Sequence, residues 1–283
     1  MLVFAPRWGK TGSWGRRGVV VLAVVLAAVG AWQASLRRPT GPAEGFSIAG
    51  QPPGAVSSRG ALRVATFNIH SGKGPDGRYD LSRVVKGLQG LDFVALNEVR
   101  GWSYADPADQ AEALGRGLGL GWLFAPGEQR WFCQQFGNGL LTRAPVRYWQ
   151  RIPLDCRDDR SHRNLVLAVA SHQGRAIRIL ITHVTRRTED ARRHQLRCVG
   201  ELFLAMEKPS VLLGDMNSPA TDPQMREILA APGVVDPLRE AGVASEHRID
   251  WILARGFRAV AAGIRDEGIS DHPLVWAELE LVE

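Results

Sequence analysis

Cysteine is scarce in this chain, with three residues in 283. Cys133, Cys156 and Cys198 have no companion at the short spacings of zinc ribbons or redox dithiols, so both classes are excluded. An odd count allows at most one intrachain disulfide, and Cys133 with Cys156, which flank what reads as a strand pair, are the residues it would join. Basic charge is also missing where a nucleic-acid binder would carry it. The formal net charge is +6, but the first sixty residues hold seven Lys and Arg against Glu44 alone, leaving 28 basic and 28 acidic residues in the rest. The body of the protein is neutral and lacks the bulk footprint of phosphate-backbone binding. Nucleotide motifs fail as well. His70-Ser71-Gly72-Lys73-Gly74 lacks the first glycine of a phosphate loop, and the ladder Gly115, Gly117, Gly119, Gly121 follows a helix instead of opening one.

Charge is absent for a different reason between Arg17 and Arg37. Those nineteen positions, rich in Val, Ala and Leu, would span about 28 Å as a helix, close to the hydrocarbon thickness of a bilayer. Residues 1–17 form a basic N-terminus with Arg7, Lys10, Arg16 and Arg17, against Arg37 and Arg38 on the other side, so the N-terminus is expected to stay cytoplasmic. The expectation is a signal-anchor over 18–36 in the inner membrane, with everything after it in the periplasm; secretion after cleavage near Ala28-Val29-Gly30 is the alternative. From 37 to 60 the composition turns to Pro, Gly, Ser and Ala, which predicts an extended linker. Residues 61–283 are then the globular domain.

That domain alternates short apolar runs with amphipathic ones. Strands are expected at 62–68, 93–97, 121–124, 138–142, 146–152, 164–171, 176–182, 210–214, 249–254, 257–264 and 274–281, and helices at 81–89, 108–118, 189–206 and 222–230. Such a mixture predicts sheet packed on sheet with helices outside.

Six of the strand-like runs end in polar groups. Val211-Leu212-Leu213-Gly214 stops at Asp215 and Asn217, two apart and therefore expected on one face. The others deliver Asn68, Glu98, His183, Asp250, and Asp271 with His272. This set holds hard oxygen ligands and two histidines, with no obvious Ser or Cys nucleophile. Oxygen donors with few histidines suit Mg2+ or Mn2+, and the implied chemistry is metal-assisted attack of water on a phosphoester. Of the arginines after His183, most read as a solvated helix face, and Arg186 and Arg187 are the candidates for holding a substrate phosphate.

The segments Thr66-Phe67-Asn68, Asn97-Glu98, Gly137-Asn138-Gly139-Leu140-Leu141-Thr142-Arg143, Thr182-His183, Gly214-Asp215-Met216-Asn217, Ile249-Asp250-Trp251-Ile252 and Ser270-Asp271-His272 occur in the order seen in the endonuclease/exonuclease/phosphatase superfamily. Residues 61–283 resemble that superfamily, which includes DNase I-like nucleases, abasic-site endonucleases, inositol-phosphate phosphatases and neutral sphingomyelinases. The resemblance implies a four-layered α/β/β/α sandwich. It also implies Glu98 as principal magnesium ligand with Asn68 and Asp271 in the metal shell, Asp215 orienting or deprotonating the water, and Asn217 steadying the water or a phosphate oxygen. His272 would donate to a non-bridging oxygen, Asp250 would hold a histidine in one tautomer, and His183 would protonate the leaving oxygen. Asn97 stands where many relatives carry glutamine, which bears only on supporting geometry. Substrate specificity lies in loops; the neutral domain and the apolar segment favour a lipid headgroup or small phosphodiester, with nucleic acid the less favoured partner and a silent binding module the third reading.

Overall fold

A computed structural model describes residues 13–51, 60–102, 108–131, 133–157, 162–243 and 245–282. The expected basic N-terminus through residue 12 and the linker positions 52–59 lie outside the described residues. The chain divides into two compact units, Met1–Leu36 and Arg37–Glu283.

In the first unit a helix runs over Ser13–Ala34. Its window Arg17–Ala34 has a mean hydropathy of 1.8 and is long and apolar enough to cross a membrane. Val19, Val20, Val21 and Leu22 are consecutive, apolar and exposed, so apolar side chains surround the helix and leave it no polar face to give water.

The second unit is built on two mixed sheets. In the first, the long strands lie in the order Gly121–Arg130, Cys133–Thr142, Phe93–Val99, Leu62–Asn68, Leu274–Leu281, Phe257–Arg265. In the second the order is Val234–Val235, Asp250–Arg255, Ser210–Asp215, Arg175–His183, Asn164–His172, Val146–Pro153, Glu44–Gly45. Among the described pairings each sheet is antiparallel around one parallel pair, Leu62–Asn68 beside Phe93–Val99 in one and Arg175–His183 beside Ser210–Asp215 in the other.

Side-chain alternation assigns the layers. Leu62 and Val64 face the core between the sheets with Ala95, Ile179, Leu213 and Ile252, while Ala65 and Phe67 face the helices Leu81–Gly87 and Gln110–Leu118 with Val84 and Leu114. Across the sandwich Leu212 and Leu253 pack under Glu189–Ala205 and Pro223–Ala230 with Leu196, Val199 and Ile228. The four-layered α/β/β/α sandwich is therefore observed. The helices start where the sequence supplies caps: Asp80, Asp109, Thr188 and Asp222 each accept a backbone N–H of the first turn.

Two expectations change. The compact unit begins at Arg37, not residue 61, because residues 37–51 of the Pro- and Gly-rich segment are laid along it. Glu44–Gly45 pairs with Gln150 and Trp149, Ile48 is buried, and Gln51 Nε2 donates to Ala144 O at 2.7 Å. A two-residue pairing leaves no periodicity to read. No disulfide forms either, since all three cysteines are free.

Candidate active site

The site lies where both parallel pairs end. Asn68 stands beside Asn97 in one sheet, and Asp215 beside His183 on one flank and Asp250 on the other in the second. Register alone therefore brings three of the expected residues together, His183, Asp215 and Asp250, and the facing of the two sheets adds Asn68.

The strand ends are unusual in backbone. Glu98 has φ 58°, at a register shift between Leu96 and Val99, which turns its carboxylate out of the ladder. Gly214 has φ 145°, and a Cβ there would lie 1.9 Å from Thr182 O, so only glycine lets this strand approach its parallel neighbour. The strand ends at Asp215, and Asn217 follows in the left-handed region at φ 46°. The two residues are thus related by a turn in which Asn217 N donates to Asp215 Oδ1 at 2.9 Å, not by strand alternation. Asn217 Nδ2 donates to Val184 O at 2.8 Å, so this side chain staples the loop after His183.

Asp215 is the hub. Its Oδ2 lies 3.1 Å from Asn68 Nδ2, 3.4 Å from His183 Nε2 and 3.9 Å from His272 Nε2. Burial, then the charge of Asp250, raise its pKa, against the charge of His272 and the N–H groups of Asn217 and Asn68. Asp250 is buried too and is raised by that burial, while its Oδ2 lies 2.8 Å from His272 Nδ1. For His272 burial alone would favour the neutral ring, but the hydrogen bond and charge of Asp250, with the charges of Asp215 and Asp271, outweigh it and push the pKa up to about 9.

His183 differs. Only 4% of it is exposed, and burial together with the positive charges of Arg163, His272 and Arg186 holds its pKa well below the ordinary value. Arg163 lies 3.4 Å from Nδ1, which leaves the ring proton on Nε2 facing Asp215. The contact with Asp215 is therefore one of a neutral ring, and the expected role of His183 as acid for the leaving oxygen does not fit this environment; a cation bound nearby would hold it neutral still more firmly.

The metal residues also need one correction. Asn68 turns its amide nitrogen to both carboxylates, Glu98 at 3.2 Å and Asp215 at 3.1 Å, while its Oδ1 accepts from His70 N. It spaces the carboxylates instead of offering them a third oxygen. Glu98 and Asp271 remain, Asp271 beside His70 at 3.4 Å, and Asp215, Asp250 and His272 form a cluster whose ligand atoms lie within 4.8 Å of one another. Asp250 Oδ1 is buried without a hydrogen-bond partner among the described residues. A hard-oxygen set with an unanswered buried carboxylate oxygen fits a divalent cation.

Several contributors carry no charge; Asn97 was expected to bear on supporting geometry, and Asn138, Asn164 and Ser270 were given no role from sequence. Asn97 Oδ1 accepts from Asp215 N at 2.9 Å, and its Nδ2 donates to Asn138 Oδ1 and Thr182 O. Asn138 in turn donates to Asn164, whose Nδ2 reaches Pro126 O at 2.9 Å. This amide chain ties the two sheets together beneath the carboxylates. Ser270 Oγ donates to Asn68 O at 2.7 Å and anchors the Asp271-His272 turn. Arg163, stacked on Phe136 at 5.3 Å, was missed because it precedes its strand and belongs to no motif. Arg186 and Arg187 are both exposed on the loop after His183.

The model of the Endonuclease/Exonuclease/phosphatase family matches residues 65–272. The chain belongs to this family. None of the curated proteins matches the chain in sequence. Among solved structures, an endonuclease/exonuclease/phosphatase from Beutenbergia cavernae DSM 12333 is similar at 24% identity and a TM-score of 0.66, over 79% of this chain and 72% of that one. A mannosyl-6-phosphatase from Bacteroides thetaiotaomicron VPI-5482 is similar at 17% identity and 0.62, over 78% and 100% of the two chains. D. rerio TDP2 complexed with a single-strand DNA product gives 18% and 0.60, over 77% and 98%. At these identities the neighbours show the fold, and the fold is that of the endonuclease/exonuclease/phosphatase family of phosphoesterases.

Proposed function

We propose that the protein hydrolyses a phosphoester with a divalent cation, Mg2+ or Mn2+, and that its substrate is a small phosphodiester or a lipid headgroup. The observation that carries this reading is Asp215 Oδ2, which two imidazoles and an amide address from three directions within 3.9 Å. The cation, held by Glu98 and Asp271, would supply positive charge against the phosphate oxygens.

The chain's own groups then divide the work. Asp215 Oδ2 takes the proton of the attacking water, for which a carboxylate raised by burial is the better acceptor. His183, neutral, gives its Nε2–H to Asp215 and fixes which lone pair faces the water. Asp250 accepts Nδ1–H of His272, leaving Nε2–H to meet a non-bridging oxygen as charge grows there. That Nε2–H is a single proton and stays on the ring in this role, so the leaving oxygen takes its proton from solvent while Asp215 releases the one it accepted.

The membrane reading is part of the same proposal: the helix Ser13–Ala34 anchors the chain in the inner membrane with Arg37–Glu283 in the periplasm, cleavage and secretion being the alternative. A periplasmic reporter fused after Glu283 is expected to be active; activity of a cytoplasmic reporter there instead would reverse the orientation. A nuclease is the second reading, favoured by the likeness to TDP2 with its single-strand DNA product and opposed by the neutral domain. An assay of the detergent-solubilised full chain on a chromogenic phosphodiester, phospholipids, RNA and plasmid DNA with magnesium separates the two. Fast nicking of plasmid at physiological salt would overturn the ranking, and no turnover of any substrate would return the fold to a binding role.

A further inference from the structure

A cavity of about 220 Å3 shares one wall with the active site. Arg163, which reaches His183 Nδ1, lines it together with Arg38 and Arg151, and no acidic residue does among the described lining residues. Arg151 is 8% exposed, and its two terminal nitrogens donate to Pro126 O and Gly41 O, both at 3.0 Å. No carboxylate among the described residues pairs with it. A guanidinium buried against carbonyl dipoles alone is costly, and nothing in the packing of an all-apolar core would require one there. Arg38 projects from the segment that follows the apolar helix, half-buried, with one nitrogen on Leu154 O at 2.8 Å.

We propose that this cavity binds a second phosphate group of the substrate, apart from the phosphoester that is cleaved. The N–H groups that Arg38 and Arg151 do not spend on carbonyls, with Arg163 shared with His183, match the oxygens of a phosphate, which guanidinium groups hold in pairs. The volume falls below that of pockets built for drug-sized ligands, roughly 300 Å3 and upward, so it takes a headgroup fragment and not a base and sugar. Pro39, Gly41 and Ala43 form part of the same lining, which explains why residues 37–51 lie against the domain: they complete the subsite. The proposal rests on the phosphoesterase reading above, but the binding it requires does not.

The test has two arms on the full chain in detergent. In the first, inorganic phosphate is titrated calorimetrically in the presence of EDTA. Arg38→Ser is expected to weaken binding about tenfold, the loss of one charged hydrogen-bonding partner, and His272→Ala to leave it unchanged. Arg38 is half-buried on the surface segment, and the melting temperature of the variant checks that the fold persists. Absence of phosphate binding, or binding that ignores Arg38 and follows His272, would overturn the proposal. The second arm compares methyl p-nitrophenyl phosphate with the analogue whose methyl is replaced by a 2-phosphoethyl group. Arg38→Ser is expected to raise KM for the doubly phosphorylated ester about tenfold with kcat held, and to leave the methyl ester unchanged; an equal effect on both would also sink it. If phosphate binds as expected and neither ester is turned over, the phosphoesterase reading fails and the cavity stands as an anion site.

Discussion

The first sheet presents its acids to the solvent side of the site, with Glu98 partly exposed and the Asp271 side chain 53% accessible, whereas the second sheet presents His183, Asp215 and Asp250 at 4%, 1% and 3%. A cation that must enter and leave needs ligands that water can reach, and a group that must exchange a proton near neutral pH gains from a dry setting that shifts it. The two halves of the sandwich have the same topology, one parallel pair with polar residues at its end, and differ in what covers those ends. His272 connects them, since it comes from the first sheet's last connection and hydrogen-bonds Asp250 of the second.

Removing the hub of the buried half should have the largest effect. Asp215→Asn keeps the shape and removes the proton acceptor that His183, His272 and Asn68 converge on, so kcat should fall on the order of 1000-fold at saturating magnesium. A fall of less than tenfold would mean that the accessible half does the chemistry alone.

The contact that permits the buried half comes next. Gly214→Ala places a methyl 1.9 Å from Thr182 O at a φ of 145°, and the parallel pair must spread to accept it. A loss of about 3 kcal/mol is expected, seen as a fall in melting temperature of roughly 6–12 °C. Unchanged melting would show that the pair does not need this close approach.

The comparison sharpens when one residue from each role is changed. Glu98→Gln removes charge from the accessible side, so activity should fall and recover in part as magnesium or manganese is raised. His272→Ala withdraws a donor and should cost about 100-fold in kcat that added metal does not restore. Rate measured against metal concentration for both variants decides it, and the opposite pattern of rescue would exchange the two roles.

How much of this was legible follows the same division. Most strands were readable to within a residue or two because Val64, Ala65, Thr66 and Phe67, or Val211, Leu212 and Leu213, are apolar runs buried on both faces with glycine or polar residues at their ends, but the pair Gly121–Arg130 and Cys133–Thr142 extends well past the expected 121–124 and 138–142 into polar sequence. The charged site residues were readable because charge at a strand end has few other reasons to be there. The neutral state of His183 was not, since it depends on burial and on Arg163, twenty residues away in sequence. The links from Asn97 to Asn138 and Asn164 were equally hidden: amides at these positions acquire partners only when the two sheets face each other. Asn217 misled by spacing, because alternation stops one residue earlier. The segment 37–51 misled by composition, because proline and glycine describe a linker and an edge-hugging strap alike.

The smallest expected effect compares two buried histidines at opposite ends of the hairpin Asn164–His172 and Arg175–His183. His172 is fully buried far from the carboxylates, and burial lowers its pKa against an opposing pull from Asp92. A ring held neutral in the folded state and free to charge in the unfolded chain makes the unfolded state bind more protons below the ordinary histidine value of about 6.5. Stability is then fully present above that pH and declines as pH falls toward the depressed folded value, with a slope of at most one proton, about 1.4 kcal/mol per pH unit. Chemical unfolding of wild type and His172→Asn in EDTA between pH 5 and 8 should show the difference between them shrinking or reversing as pH falls, because the variant lacks this proton uptake. His183 contributes the same sign in both proteins and cancels. A difference that stays constant across the range would mean that His172 charges freely where it is, and that burial by the sheet end is looser there than at the site.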